Sequence, residues 1–140
     1  MIRKVNISDY NDICNICSKD LGYECKNELV KMRIEHLDEK REMVFVAEVD
    51  NVVVGYIHVE KYNLLYFDSM ANILGLAVAK KQQKQGWGRK LMEAAEQWSK
   101  ENDIYTISLS SGIGRKEAHK FYRAIGFSEE KQQVRFIKQL

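Results

Sequence analysis

Apolar residues recur along this chain with two different periods, and the changes between them predict the order of its elements. After Ser8 and Asp9, either of which suits a helix N-cap, apolar residues return every three or four positions as far as Gly22. The same helical repeat runs through segments 27–39, 86–102 and 115–125. Alternating or continuously apolar segments, typical of strands, occupy residues 2–5, 43–49, 52–60, 71–78, 104–109 and 132–138.

Two local features turn this order into a fold prediction. The pair Asp50-Asn51 tolerates left-handed backbone, which predicts a turn and an antiparallel hairpin between the strands that flank it. Segment 71–78 is almost continuously apolar, as is typical of a central strand covered on both faces. The order β-α-α-β-β-β-α-β-α-β predicts a mixed α/β (α+β) fold.

Composition bounds the class of protein. A chain of 140 residues that is 45% hydrophobic and 30% charged predicts one globular domain, 1–140. The net charge is only +2, and the sequence has no basic stripe of the kind that nucleic-acid binders carry. No apolar run is long enough to span a membrane. The N-terminus has no signal-peptide core, so we expect a cytoplasmic protein without nucleic-acid or membrane partners.

The chain has three cysteines, and two of them form a C-x-x-C pair. Cys14 and Cys17 fall inside a predicted helix, whereas redox pairs of this kind lie at a helix start after a strand. A zinc site would need Cys25 and a fourth ligand such as His36. The spacing favours structural thiols and predicts no metal site.

The chemically most informative segment is the glycine-containing stretch 83–89, between an apolar strand and a strongly helical segment. Unpaired amides at a helix start attract anions, and glycine lets the backbone approach a ligand closely. A dinucleotide fingerprint is excluded because Leu91 stands where its third glycine belongs, and no P-loop sequence is present. Two hypotheses remain for the motif alone: a diphosphate site, or an ordinary helix entry that carries Gly86 and Gly88.

Two stretches resemble a known family. Leu76-Ala77-Val78 followed by the run from Gln83 to Met92 is similar to the acyl-CoA-binding motif Q/R-x-x-G-x-G/A of the GNAT superfamily of N-acetyltransferases. The run from Arg115 to Phe127 resembles the family's later helix, A-x-x-x-Y-x-x-x-G-F. A helix and a strand separate the two stretches, as they do in the family.

The resemblance implies transfer of an acetyl group from acetyl-CoA to a primary amine of a small molecule. It also implies a mostly antiparallel sheet with one splayed pair of parallel strands and helices on both faces. The CoA diphosphate would lie on backbone amides, with charge from Lys84, Arg89 and Lys90, although a solvated helix start explains Lys90 equally well. Pantetheine would pair with the strand, and the N–H of Leu76 would face the thioester oxygen. The cofactor-binding residues implied are Leu76, Ala77, Val78, Gln83, Lys84, Gln85, Gly86, Trp87, Gly88, Arg89 and Arg115.

Tyr122 is the catalytic candidate. By resemblance it would protonate the leaving thiolate, whereas its spacing alone fits a core tyrosine with a satisfied hydroxyl. Arg115 stands where many relatives carry asparagine, and Asn72 where many carry a glutamate base. His119, one turn before Tyr122, is interpreted as structural. Other carboxylates that could serve as a base are Glu48, Glu60 and Asp68, and none is assigned.

The acceptor pocket implied by the resemblance lies between the first two helices, the 61–69 loop and the C-terminal strand. Aromatic and acidic residues in these segments favour an amine: Tyr23, Glu24, Tyr62, Tyr66, Phe67 and Asp68. Two alternatives remain, a non-catalytic acyl-CoA sensor and a protein or peptide N-acetyltransferase. A homodimer is possible by analogy with relatives.

Overall fold

The computed structural model describes residues 1–140, which divide into two units, Met1–Ser110 and Ser111–Leu140. The first unit carries one mixed sheet, and the second carries one helix and an irregular tail. The prediction of a single domain over 1–140 stays a prediction. None of the helices is long and apolar enough to cross a membrane.

Five strands form the sheet, and they lie in chain order. Their bounds are β1 (Ile2–Lys4), β2 (Glu42–Val49), β3 (Val52–Tyr62), β4 (Met70–Val78) and β5 (Ile107–Leu109). The first four strands pair antiparallel with their neighbours, and β4 pairs parallel with β5. This arrangement confirms the predicted mixed, mostly antiparallel sheet.

The predicted turn joins β2 and β3. Asp50 and Asn51 have φ angles of 50° and 64°. Positive φ at both central residues is the geometry of a tight hairpin turn whose twist matches that of the strands. The turn therefore sets the register in which Val49 faces Val52.

Three helices cover the two faces of the sheet: α1 (Tyr10–Lys19), α2 (Asn27–Glu35) and α3 (Trp87–Glu101). Ile13 and Ile16 of α1 are buried in a cluster with Val46 and Ala77. Side chains alternate between the faces of a strand, so Tyr56, His58 and Glu60 point to this same side, which we call the α1 face. The opposite face packs against α3, whose residues Leu91, Met92 and Ala95 are buried.

A 3-10 turn, Ile7–Asp9, precedes α1 and has Asn6 as its N-cap. Asp9 occupies the N-cap position of α1, as predicted, but its side chain makes no capping hydrogen bond to that helix. The Asp9 carboxylate accepts a hydrogen bond from the Asn6 N–H at 2.7 Å. It also accepts two bonds from the Arg3 guanidinium, at 2.8 and 2.9 Å. The Asp9 carboxylate therefore ties the 3-10 turn to β1 through Arg3 instead of capping α1.

The second unit contains α4 (Lys116–Ala124), which ends at a turn where Gly126 has a φ of 107°. The predicted strand 132–138 is wrong, because residues 128–140 form no helix or strand. Val134 and Phe136 alternate as strand residues do, yet they are 77% and 90% exposed. An alternating segment forms a strand only where a neighbouring strand pairs with its backbone and its apolar side chains pack against a buried face.

Replacing Asp9 by Asn should lower the free energy of unfolding by about 2 kcal/mol at pH 7, since two charge-assisted bonds are lost. Burial alone would raise the pKa of Asp9, but the hydrogen bonds from Arg3 and the Asn6 N–H outweigh it and hold the pKa below its ordinary value. A lowered pKa gives stability that is present above the unfolded value of about 3.9 and disappears as pH falls further. Urea titrations should therefore give different free energies of unfolding for the wild type and Asp9→Asn at neutral pH and similar values in acid. A difference that does not change with pH would contradict this role of Asp9.

Candidate functional site

Two neighbouring strands separate at one point in the sheet. β4 and β5 pair only at Ala71–Ile107, Asn72–Ser108 and Ile73–Leu109. On its other side β4 remains paired with β3, but the register shifts so that Leu74 is an extra residue between the partners of His58 and Val59. Such a bulge bends a strand and increases its twist. We call the point where pairing ends, at Ile73 and Leu109, the fork.

Leu76, Ala77 and Val78 lie beyond the fork on β4. Their β3 side is paired, with Leu76 opposite Ile57, while their β5 side has no strand partner. Leu76 and Val78 are half-buried and Ala77 is buried. An extended segment that carries amides could add to this edge as a further strand. The geometry agrees with the splayed pair that the sequence predicts.

The glycine-containing stretch follows β4 directly. The Gln83 side-chain amide donates to the Val78 carbonyl oxygen at 3.0 Å, which ties the stretch to the end of the strand. Lys84 and Gly86 have φ angles of 63° and 88°. Two left-handed residues so close together turn the chain sharply into α3. The left-handed backbone at position 86 favours glycine, although a Cβ added there would meet no atom within 4 Å.

The amides at the start of α3 are free. Its first backbone bond runs from the Lys90 N–H to the Gly86 carbonyl oxygen at 3.1 Å, so the N–H groups of residues 86–89 have no acceptor within the chain. The exposed cationic side chains of Lys84 and Arg89 flank them. The Lys90 ammonium group lies 4.7 Å from the centre of the Trp87 ring. Free amides, a helix dipole and cations together suit a phosphate-bearing ligand.

The second unit holds the predicted catalytic tyrosine on α4. The ring of Tyr122 packs edge-on against Phe121 at 5.6 Å and Phe127 at 5.9 Å between ring centres. Burial raises the pKa of Tyr122 above its ordinary value, and the charge of Arg115 opposes this only in part. The phenol therefore stays protonated at neutral pH. His119 is occupied in a hydrogen bond with the Ser111 hydroxyl at 3.1 Å.

A line of polar side chains crosses the α1 face, and the sequence analysis missed it as a group. Glu42 lies opposite Glu60, Glu60 opposite Asn72, and Asn72 opposite Ser108. The Asn72 amide donates to Glu60 Oε2 at 3.2 Å, and the Ser108 hydroxyl donates to Asn72 Oδ1 at 3.2 Å. Glu42 pairs with His58 at 2.7 Å. We call the four residues Glu42, Glu60, Asn72 and Ser108 the polar row.

A cavity of about 540 Å³ lies beside this row. It is lined by residues of α2 and of the strands β2 and β3: Met32, Arg33, His36, Leu37, Glu42 and His58. None of the six residues predicted to form the acceptor pocket lines it. Three of them are largely exposed, with Tyr23 at 65%, Tyr66 at 76% and Phe67 at 60%.

The three thiols lie together around α1. Cys14 is buried, and the Cys17 thiol is 3.3 Å from the Tyr56 hydroxyl. Burial, reinforced by Cys14, raises the pKa of the Cys25 thiol to about 12. A thiol that stays protonated at neutral pH is a poor nucleophile and a poor metal ligand. Cys25 therefore fits the structural role expected of it.

Comparison with known proteins decides the family. The profile of the acetyltransferase (GNAT) family matches residues 10–127. The chain belongs to this family. The match confirms the family that the two sequence motifs predict, and it makes the protein an acyltransferase by descent. The match spans the fork, the glycine-containing stretch and Tyr122.

Two curated relatives agree with this assignment. The chain is 29% identical over 140 residues to an N-alpha-acetyltransferase of Sulfurisphaera tokodaii, an alignment that covers 93% of this chain and 81% of the relative. It is 41% identical to the uncharacterized N-acetyltransferase YhdJ of Bacillus subtilis over 46 residues. That second match spans about a third of either protein, 32% of each.

Solved structures share the fold at low identity. A transcriptional regulator from Bacillus halodurans C-125 superposes with a TM-score of 0.86 at 20% identity, over 99% of both chains. The acetyltransferase AAC(6')-Iy, in complex with the bisubstrate analogue CoA-S-monomethyl-acetylneamine, gives a TM-score of 0.80 at 16% identity. It covers 100% of this chain and 98% of its own. Both likenesses confirm the fold class.

Proposed function

We propose that this acetyltransferase moves the acetyl group of acetyl-CoA to a primary amine of a small molecule. One observation carries the proposal: free amides at residues 86–89 directly follow a strand edge without a partner. The amides suit the diphosphate of CoA, and the edge suits the two amide groups of its pantetheine arm. CoA analogues bound to a relative of the same fold make acetyl-CoA the fitting co-substrate.

The reaction is a direct transfer. The amine nitrogen attacks the thioester carbonyl carbon, and a tetrahedral intermediate forms with negative charge on its oxygen. The Leu76 N–H, on the unpaired part of β4, is proposed to donate to that oxygen. The carbon–sulfur bond then breaks, and the Tyr122 hydroxyl is proposed to give its proton to the leaving thiolate. The raised pKa of Tyr122 supports this role, because it keeps the phenol protonated.

The cofactor residues keep the roles that the resemblance implies. The backbone of Leu76–Val78 would hold the pantetheine arm, and the backbone from Gln83 to Arg89 the diphosphate. Arg115 would reach a phosphate or an anionic group of the acceptor. Support for the first two comes from the unpaired edge and the free amides, and for Arg115 from its exposure at the start of α4.

Acidic side chains of the polar row and aromatic side chains of the loop between β3 and β4 support a cationic acceptor. Carboxylates of the polar row and the exposed rings of Tyr66 and Phe67 suit a cationic amine. A relative of the same fold that is crystallised with an acetylneamine analogue supports a small molecule. The N-alpha-acetyltransferase relative favours a peptide N-terminus as the second candidate acceptor.

A sensor that binds acyl-CoA without turnover is the alternative from another class. Asn72 cannot accept a proton, and a regulator shares the fold. The deciding experiment measures release of free CoA thiol with a panel of aminoglycosides, polyamines, aminoalkylphosphonates and peptide N-termini. Turnover of a small amine supports the proposal. Tight CoA binding without thiol release on any amine would establish the sensor instead.

Replacing Gly86 by Glu should weaken acetyl-CoA binding strongly, because a carboxylate would enter the diphosphate site and repel it. Calorimetric titration with acetyl-CoA measures the effect, for which we expect at least about tenfold, or 1.4 kcal/mol. Gly22→Glu is the matched control, because Gly22 also has a positive φ, of 73°, and open space around it. Equal weakening in both variants would show that backbone strain, and not the ligand site, is responsible.

Replacing Tyr122 by Phe should lower kcat by about 100-fold, the low end for loss of a general acid, without changing acetyl-CoA affinity. The wild type should lose activity as pH rises through the raised pKa of Tyr122, above its ordinary value of about 10. The variant should lack this alkaline decline. Tyr105→Phe removes a hydroxyl from a residue that is 76% exposed and serves as control. Full activity of Tyr122→Phe would remove the assigned role.

A further inference from the structure

A primary amine is mostly protonated at neutral pH, and only the neutral form has the electron pair that attacks the thioester. The ammonium group must therefore lose one proton before attack. The nitrogen loses a second proton after attack, which balances the proton that Tyr122 is proposed to give to the thiolate. The first proton needs an acceptor of its own, and a group with a free acceptor atom near the reacting carbon can take it.

The polar row supplies such a group at the right place in the sheet. Asn72 and Ser108 form the rung directly before Ile73 and Leu109, the last pair before the fork. Glu60 lies opposite Asn72 on β3, about 4.8 Å away between strands. Glu60 is therefore one strand away from the rung before the fork, and its carboxylate contacts that rung through the Asn72 amide.

Hydrogen bonds fix the orientation of this carboxylate. Ser108 donates to the Asn72 carbonyl oxygen, which aims the Asn72 amide at Glu60 Oε2. Glu60 Oε1 receives no hydrogen bond from the chain. Glu60 is half-buried, so one oxygen is held while the other is open to a ligand.

The other candidate carboxylates either form an ion pair or lie in a loop outside the polar row. Glu42 is paired with His58, and Glu48 with Arg3. Asp68 is exposed in the loop between β3 and β4 and forms no hydrogen bond.

Charged groups around Glu60 come from two other places. Glu42 faces it from β2, with His58 beyond, and Arg33 and His36 of α2 line the adjoining cavity. Glu42 also has one oxygen held, by His58, and one without a hydrogen bond, but it lies on β2, one strand farther from the fork than Glu60.

We infer that Glu60 is the catalytic residue that takes the proton of the acceptor amine, with Asn72 and Ser108 as positioning residues. This inference rests on the proposed transfer. Before the nitrogen–carbon bond forms, one N–H bond of the ammonium group breaks and its proton passes to Glu60 Oε1, directly or through one bridging water, which leaves the electron pair on the nitrogen for attack. The acceptor is consequently a cationic amine, held by the carboxylate before it reacts.

The test replaces Glu60 by Gln, which keeps the size of the side chain and its bond to Asn72. Two acceptors are compared at pH 7: the best amine of the panel, and its analogue with an alkoxyamine in place of the amine, which is uncharged at that pH. We expect kcat/KM to fall about 100-fold with the amine, as for loss of a general base, and to stay near wild type with the alkoxyamine. Raising the pH should restore the amine reaction progressively.

Glu93→Gln is the control, since it removes an exposed carboxylate from α3. Acetyl-CoA titration and thermal melting check that each variant is folded. Ser108→Ala, which frees Asn72, should show a smaller loss confined to the amine. Equal activity of Glu60→Gln and wild type with both acceptors, or equal loss with both, would overturn the role of Glu60. Because the same assay reads wild-type turnover, either result leaves the transfer itself standing.

Discussion

The end of pairing between β4 and β5 is the constraint on which the rest of this structure depends. β4 must stay bonded to β3 and yet part from β5, and the extra residue Leu74 allows both. A bulge bends a strand without breaking the ladder on its other side. The bend comes directly after the last rung, at Ile73 and Leu109. The part of β4 beyond this rung is thereby left with an unpaired edge.

In the proposed transfer, backbone groups would do most of the binding of acetyl-CoA. The edge beyond the fork and the amides at residues 86–89 are main-chain donors and acceptors, whose positions depend on geometry more than on side-chain identity. Sequence specificity is required only where the geometry is unusual, as at Gly86 with its φ of 88°. The proposed side-chain chemistry is then concentrated in a few positions, the polar row and Tyr122.

Local signals predicted the fold, and long-range register limited the prediction of the site. The Asp50-Asn51 turn, the apolar stripe of α3 and the glycine-containing stretch are each encoded within a few residues. The polar row is not, because residues 63–69 separate β3 from β4 and the bulge shifts their register. No pattern within either strand shows that Glu60 and Asn72 face each other. The strand predicted at 132–138 failed for a related reason, since alternation in sequence does not supply a neighbouring strand.

Asn72 and Glu60 form a hydrogen-bonded pair whose two members have complementary proposed roles. A proton acceptor must lie close to the reacting nitrogen. Side chains of residues directly opposite each other on neighbouring strands are close enough to reach the same region. Glu60 already faces one carboxylate, Glu42, on β2, and a second at position 72 would add to the repulsion between them. The amide at position 72 adds no charge and donates a hydrogen bond that orients the acid. Asparagine at position 72 is therefore compatible with the proposed proton acceptor at Glu60.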